Sequence, residues 1–189
     1  VKTLQLLGGR PVIAYSVEKL GNLCDGVILV ARDEDVDEFA RVLRHEGLKV
    51  NHILPGGRDR RASVLSGMRG LPEDCDLVLV HDGARPMVTE ALIQRVIDSA
   101  REHGSGVPAM DVTDTVKRVN EQGLSVDTVD RRFLRTVQTP QGFHRALLEG
   151  AYLEGVGPAT DDASLVEQLG LPVHLVPGEA ENLKITYAG

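Results

Sequence analysis

Short aliphatic runs that alternate with amphipathic segments constrain this chain more than any other feature. "GVILVA" (26–31), "LKVNHIL" (48–54) and "DLVLVHD" (76–82) are strand-like, being continuous and rich in β-branched residues. Between and after them come "DEDVDEFARVLRHEG" (33–47), "RASVLSGMRGL" (61–71) and "TEALIQRVIDSAREHG" (89–104), each with an apolar stripe at helical spacing. The last has the clearest ends: Thr89 is placed to cap it and Gly104 to stop it. Buried strands alternating with helices predict an α/β fold, a three-layer sandwich in which helices cover both faces of a mainly parallel sheet.

Composition narrows the function. The 189 residues suit one domain spanning 1–189, without internal repeats or low-complexity linkers. A net charge of −7 and the absence of Trp argue against a basic or base-stacking nucleic-acid surface. No apolar run approaches the ~20 residues that span a bilayer, so no membrane partner is expected. Two cysteines, Cys24 and Cys75, fit a reduced, cytoplasmic protein better than a disulfide scaffold.

In parallel sheets ligands bind beyond the carboxyl ends of the strands. Two such ends carry charge here. "VLVHDGARP" (78–86) places Asp82 and Arg85 three residues apart; they are a surface ion pair or the wall of a site for a charged ligand. "LPGGRDRRAS" (54–63) sets two glycines and three arginines before a helix, where free N–H groups favour anions. A solvated basic loop would look the same, but two such tips in one sheet favour a nucleotide or sugar-phosphate site.

The middle of the chain breaks the alternation. "DTVKRV" and "LSVDTV", separated by "NEQG", predict a β-hairpin. It has no obvious place in a parallel sheet and is expected to be an arm, at about 112–135, that packs on another subunit. After it come a helix (His144–Tyr152), a capped helix "TDDASLVEQLG" (160–170), a strand "PVHLVPG" and a closing strand "ENLKIT" (181–186).

"GGRDRRASV", "VHDGARP", "VTDTVKRV", "TVDR", "TPQGF", "TDDASLVE" and "ENLKIT" stand in the order and at roughly the spacing found in the 2-C-methyl-D-erythritol 4-phosphate cytidylyltransferases. "KTLQLLGGRPVIAYS" resembles the segment that follows that family's glycine-rich nucleotide loop. The resemblance covers essentially the whole chain and rests on the ordered set rather than on one motif. It implies the nucleotide-sugar transferase type of α/β sandwich and a homodimer with exchanged arms. It also implies Mg²⁺-dependent formation of CDP-methylerythritol and pyrophosphate from CTP and methylerythritol phosphate, in isoprenoid precursor biosynthesis. A cytidylyltransferase for another polyol phosphate, such as ribitol phosphate, shares nearly all these motifs. A non-catalytic nucleotide-binding homologue is the reading if the glycine-rich loop, which in the family precedes the position of Lys2, is absent.

The same resemblance distributes roles. Lys2 would neutralise the α-phosphate of CTP, and Lys184, in the closing strand, would bridge the two reacting phosphates. Gly57 and Ser63 would read the pyrimidine, Arg60 would support their loop, and Arg58 would act through its backbone. Asp82 would either bind Mg²⁺ together with Glu181 or hold the polyol hydroxyls, with Arg85 beside it. On the arm, Arg131 would clamp the methylerythritol phosphate and Thr115 would assist. Thr139 and Thr160 would complete the polyol pocket, although Thr160 equally suits a helix cap.

Overall fold

The computed structural model describes residues 1–156 and 159–186. Each aliphatic run forms a strand of four residues, shorter than its apolar letters suggest. A 3-10 turn at Lys2–Leu4 enters a small ribbon of β1 (Leu6–Leu7) and β2 (Arg10–Pro11), turned through Gly8 and Gly9, both at positive φ. Then come α1 (Val12–Gly21), β3 (Ile28–Ala31), α2 (Val36–His45), β4 (His52–Pro55), α3 (Arg60–Arg69) and β5 (Leu77–Val80). The second half comprises α4 (Glu90–His103), β6 (Ser105–Asp111), β7 (Val116–Val119), β8 (Ser125–Val129), β9 (Arg135–Val137), β10 (Gln141–His144), α5 (Arg145–Glu154), α6 (Asp162–Gln168) and β11 (Leu175–Pro177).

Helix α4 forms as its letters dictate. The Thr89 hydroxyl accepts the Leu92 N–H at 3.0 Å, Gly104 closes it at φ 84°, and Leu92, Ile93, Val96, Ile97 and Ala100 are buried.

The α/β class holds, but the sheet is mixed. β6 runs parallel to β11, while β10 lies antiparallel between β5 and β6, and β9 adds antiparallel to β6. β10 is a strand that the sequence reading did not assign. β3 and β4 form a separate parallel pair, and no ladder among the described residues joins β3 to β5. A groove of about 1340 Å³ lies between them, lined by both strands. Helices bridge it: Ile13 and Val17 of α1 join the core under β3, and Val64, Leu65 and Met68 of α3 join the core under β5 and β10.

Two further expectations meet the structure differently. The hairpin is present, with β7 and β8 paired only to each other among the described residues. "ENLKIT" is not a strand. Residues 182–186 have no regular secondary structure, and side chains hold them instead: the Arg85 guanidinium donates to the Asn182 carbonyl at 2.7 Å, and the Asn182 amide donates to the Thr139 carbonyl at 2.9 Å. One backbone bond, Ile185 N–H to the Ala84 carbonyl at 2.9 Å, completes the attachment.

Candidate active site

The spacing of Asp82 and Arg85 follows from a turn. β5 ends at Val80, and the chain reverses so that the Arg85 N–H donates to the Asp82 carbonyl at 2.9 Å. This brings the Arg85 guanidinium back beside the Asp82 carboxylate, Nε to Oδ2 3.8 Å. Pairing of β5 with β10 sets Gln141 opposite Val80, which carries Thr139 to the same strand tip. The Asp82 N–H donates to Thr139 Oγ1 at 3.0 Å, and His81 Nδ1 lies 3.2 Å from that oxygen. The tail segment then delivers Lys184, whose ammonium lies 2.8 Å from Asp82 Oδ2.

These groups enclose a pocket of about 340 Å³. Of the predicted site residues, Arg60, Asp82, Arg85, Thr139, Thr160 and Lys184 line it. Its lining carries three cations, Arg60, Arg85 and Lys184, against two carboxylates, Asp82 and Asp161, an excess of positive charge that suits an anion. Burial pushes the Asp82 carboxyl up, but Lys184, Arg85 and Arg60 outweigh burial and hold it below the usual carboxylate range. Burial also pushes the neighbouring His81 imidazole down, to about 4, against the pull of Asp82. At neutral pH His81 is therefore an uncharged part of the wall, with its Nε2 buried and unpaired among the described residues.

Behind the pocket lies a buried polar knot. The Arg60 guanidinium makes a two-pronged contact with the fully buried Asp162 carboxylate, at 2.9 and 2.5 Å. The Tyr152 hydroxyl also donates to Asp162. Gln141 accepts the N–H groups of Asp162 and Ala163 at 3.2 and 3.1 Å and donates to Asp161 at 2.8 Å. Asp161, not Thr160, caps α6, accepting the Ser164 N–H at 3.0 Å. Thr160 is thereby free of the capping role and stays on the pocket wall.

The remaining predicted residues stand outside this pocket. Gly57 and Ser63 bond to each other, N–H to Oγ at 3.1 Å, and a Cβ on Gly57 would lie 2.2 Å from Ala62 Cβ, so only glycine fits this loop. The Arg58 side chain is 92% exposed and reaches only Asp59, at 3.4 Å. Lys2 is exposed on the first turn of the chain. Thr115 and Arg131 are exposed on the arm, where the Arg131 guanidinium donates to the Thr113 carbonyl. Glu181 is exposed and does not line the pocket.

Among the described residues no three His, Cys, Asp or Glu side chains gather as a metal cage. The donors present fit Mg²⁺ as an ion carried mainly on substrate phosphates, with Asp82 as the protein oxygen within the pocket.

Sequence reasoning missed Gln138, Gln141, Asp162 and Asn182, all buried polar residues that shape the pocket. Their signal lay inside the quoted motifs. A glutamine between Pro140 and Gly142, and an aspartate directly after Asp161, are polar letters at places where the chain must pack.

Comparison with known proteins extends this geometry. The family model described as 2-C-methyl-D-erythritol 4-phosphate cytidylyltransferase matches residues 1–189. A protein of that name from Desulforamulus reducens is 42% identical over 188 residues, covering 95% of this chain and 80% of that protein. Another, from Syntrophus aciditrophicus, is 40% identical over 190 residues, covering 96% and 80%. A solved structure of 4-diphosphocytidyl-2C-methyl-D-erythritol synthase from Anaerococcus prevotii superposes with a TM-score of 0.88 at 30% identity, over 98% of this chain and 87% of that one. The strand-tip pocket thus sits in a chain matched from end to end, and the chain belongs to the 2-C-methyl-D-erythritol 4-phosphate cytidylyltransferase family.

Proposed function

We propose that the protein transfers the cytidylyl group of CTP to 2-C-methyl-D-erythritol 4-phosphate, giving CDP-methylerythritol and pyrophosphate for isoprenoid precursor synthesis. The observation that carries this reading is the convergence of Asp82, Arg85 and Lys184 in one pocket of a chain of this family. An oxygen of the acceptor's phosphate attacks the α-phosphorus of CTP. The bond from that phosphorus to the oxygen bridging the β-phosphate breaks, and pyrophosphate leaves with the electron pair. Such a step needs positioning and charge neutralisation more than covalent help.

Each residue then has a task. Lys184 neutralises the meeting phosphates, and Asp82, 2.8 Å away, holds its ammonium in place until they arrive. The remaining Asp82 oxygen is a hydrogen-bond acceptor for polyol hydroxyls, and Arg85, Thr139 and Thr160 complete that wall. Mg²⁺, carried on the triphosphate, supplies further charge neutralisation when bound. The loop holding Gly57 and Ser63, pinned by the bond between them and with Arg58 turned to solvent, presents its backbone to the pyrimidine. Lys2 neutralises the α-phosphate.

A cytoplasmic homodimer with exchanged arms accounts for the arm. A two-stranded ribbon standing alone is marginal in water. This one exposes Val119, Leu124 and Val126, with Phe133 just beyond it 83% exposed. A second copy that covered these residues would bring Arg131 and Thr115 to its partner's pocket.

The test is pyrophosphate release with Mg²⁺, methylerythritol phosphate and CTP, UTP or ATP in turn. CTP should be strongly preferred, because a site that hydrogen-bonds its base rejects analogues. Comparable rates with all three would remove the cytidine assignment. Ribitol phosphate in place of methylerythritol phosphate, giving an equal or faster rate, would move the acceptor assignment.

A further inference from the structure

We propose that Asp162 is a positioning residue that couples the loop bearing Gly57 and Ser63 to the loop bearing Thr160, so that each substrate binds fully only when both loops are locked together. This rests on the cytidylyltransferase reading of the pocket. The two binding segments belong to different parts of the sheet: one follows β4, in the pair formed with β3, and the other, residues 159–161, leads into α6, packed against the block containing β5 and β10. No ladder among the described residues joins the two blocks.

Side chains make the connection. Arg60, in the first turn of α3, gives both terminal nitrogens to the two Asp162 oxygens at 2.9 and 2.5 Å. Asp162 has no exposed surface, so its charge depends on this partner and on the Tyr152 hydroxyl. Burial works against the charge on Arg60, and the bond to Asp162 more than offsets it. Through its own N–H, Asp162 is held by Gln141, a pocket wall. Arg61 adds a parallel tie to the carbonyl of Gly155 at 2.7 Å. Arg60 is therefore less a nucleotide ligand than the bolt between two binding loops, and Asp162 is the seat of the bolt.

A purely structural staple and a coupling residue differ in what they change. Losing a staple lowers the amount of folded enzyme and so the apparent kcat, with both KM values kept. Losing the coupling leaves folded enzyme whose loops no longer register, and both KM values rise. The experiment is steady-state kinetics on the full chain, wild type against Asp162→Asn and Tyr152→Phe, varying CTP and methylerythritol phosphate separately, with folded fraction read by circular dichroism. Asp162→Asn should raise both KM values about tenfold or more, because it strands the Arg60 charge. Tyr152→Phe removes one hydrogen bond and keeps the ring; it should raise both by about two- to fivefold with the folded fraction unchanged. If Asp162→Asn fails to fold, Tyr152→Phe decides alone. Unchanged KM values, or a rise for one substrate only, overturn the coupling while the function stands. A wild-type enzyme inactive with both substrates removes the function reading and this inference with it.

Discussion

The body that holds the pocket and the arm that stands outside it are built differently. On the body side, Gln141, Asp162 and Asn182 are buried, and each is held by side-chain or backbone hydrogen bonds. On the arm, every residue from 117 to 128 is exposed, and the ribbon's ladder is internal to it. The body is thus pre-organised before substrate arrives, whereas the arm carries charge and apolar surface that no element outside it covers among the described residues. The lesson is that affinity and registry should reside in the body, and any contribution of the arm should depend on a second subunit.

The sharpest way to break that division is to delete one cation from each side. Lys184→Ala, on the body, should lower kcat/KM roughly 10²–10³-fold with the fold retained, as for loss of a charge-stabilising donor. Arg131→Ala, on the arm, should cost a comparable amount if arms are exchanged. In each mixed dimer both lesions fall on one site and leave the other intact, so half the sites of mixed dimers, and about a quarter of all sites after random assembly of equal amounts, should recover. Co-expressed, separately tagged subunits would show this. Mixed dimers as inactive as the parents would return Arg131 to its own subunit or to no role.

A smaller effect tests the body alone, through pH. His81 titrates near 4 in the folded chain and near 6.5 unfolded, so between those values the unfolded state binds more protons. Stability is therefore lost as pH falls through that window, by about 3 kcal/mol in all. The depressed Asp82 carboxyl adds loss in the same direction at still lower pH. Urea midpoints from pH 7 to 4 should show the slope, and His81→Gln should flatten it. An unchanged slope would place the acid sensitivity elsewhere.

Comparable in size is the cost of one buried partner. Gln141→Leu leaves the Asp162 and Ala163 N–H groups unpaired in the interior, which should destabilise the chain by about 1–3 kcal/mol for each. The smallest expected change is on the arm. Phe133→Ser should shift subunit stability by less than about 0.5 kcal/mol while weakening self-association in sedimentation. A large stability loss there would mean that the arm is folded into its own subunit after all.

What the sequence disclosed, and what it hid, follows the same physics. Helix α4 was legible because Thr89, Gly104 and the buried stripe all speak locally. The strand tip at Asp82 was legible because charge directly after an aliphatic run is itself unusual. β10 was hidden: "QGFH" has one large apolar residue, and its extended form comes from lying between β5 and β6. "NLKIT" misled in the opposite sense. Its alternation reads as a strand, yet it pairs with no edge and is held by Arg85 and the Asn182 side chain. The knot around Asp162 was invisible because a polar letter reads as exposed until its partner, 102 residues away in the case of Arg60, is known.

The groove between β3 and β5 has one more consequence. In a continuous sheet the central strands release their amide hydrogens to solvent last. Among the described residues the middle of the sheet is a pair of edges, with no ladder beside the amides of 28–31 and 77–80 that face the groove. Deuterium exchange should therefore be slowest in β10 and β6, which are paired on both sides, and faster along the groove.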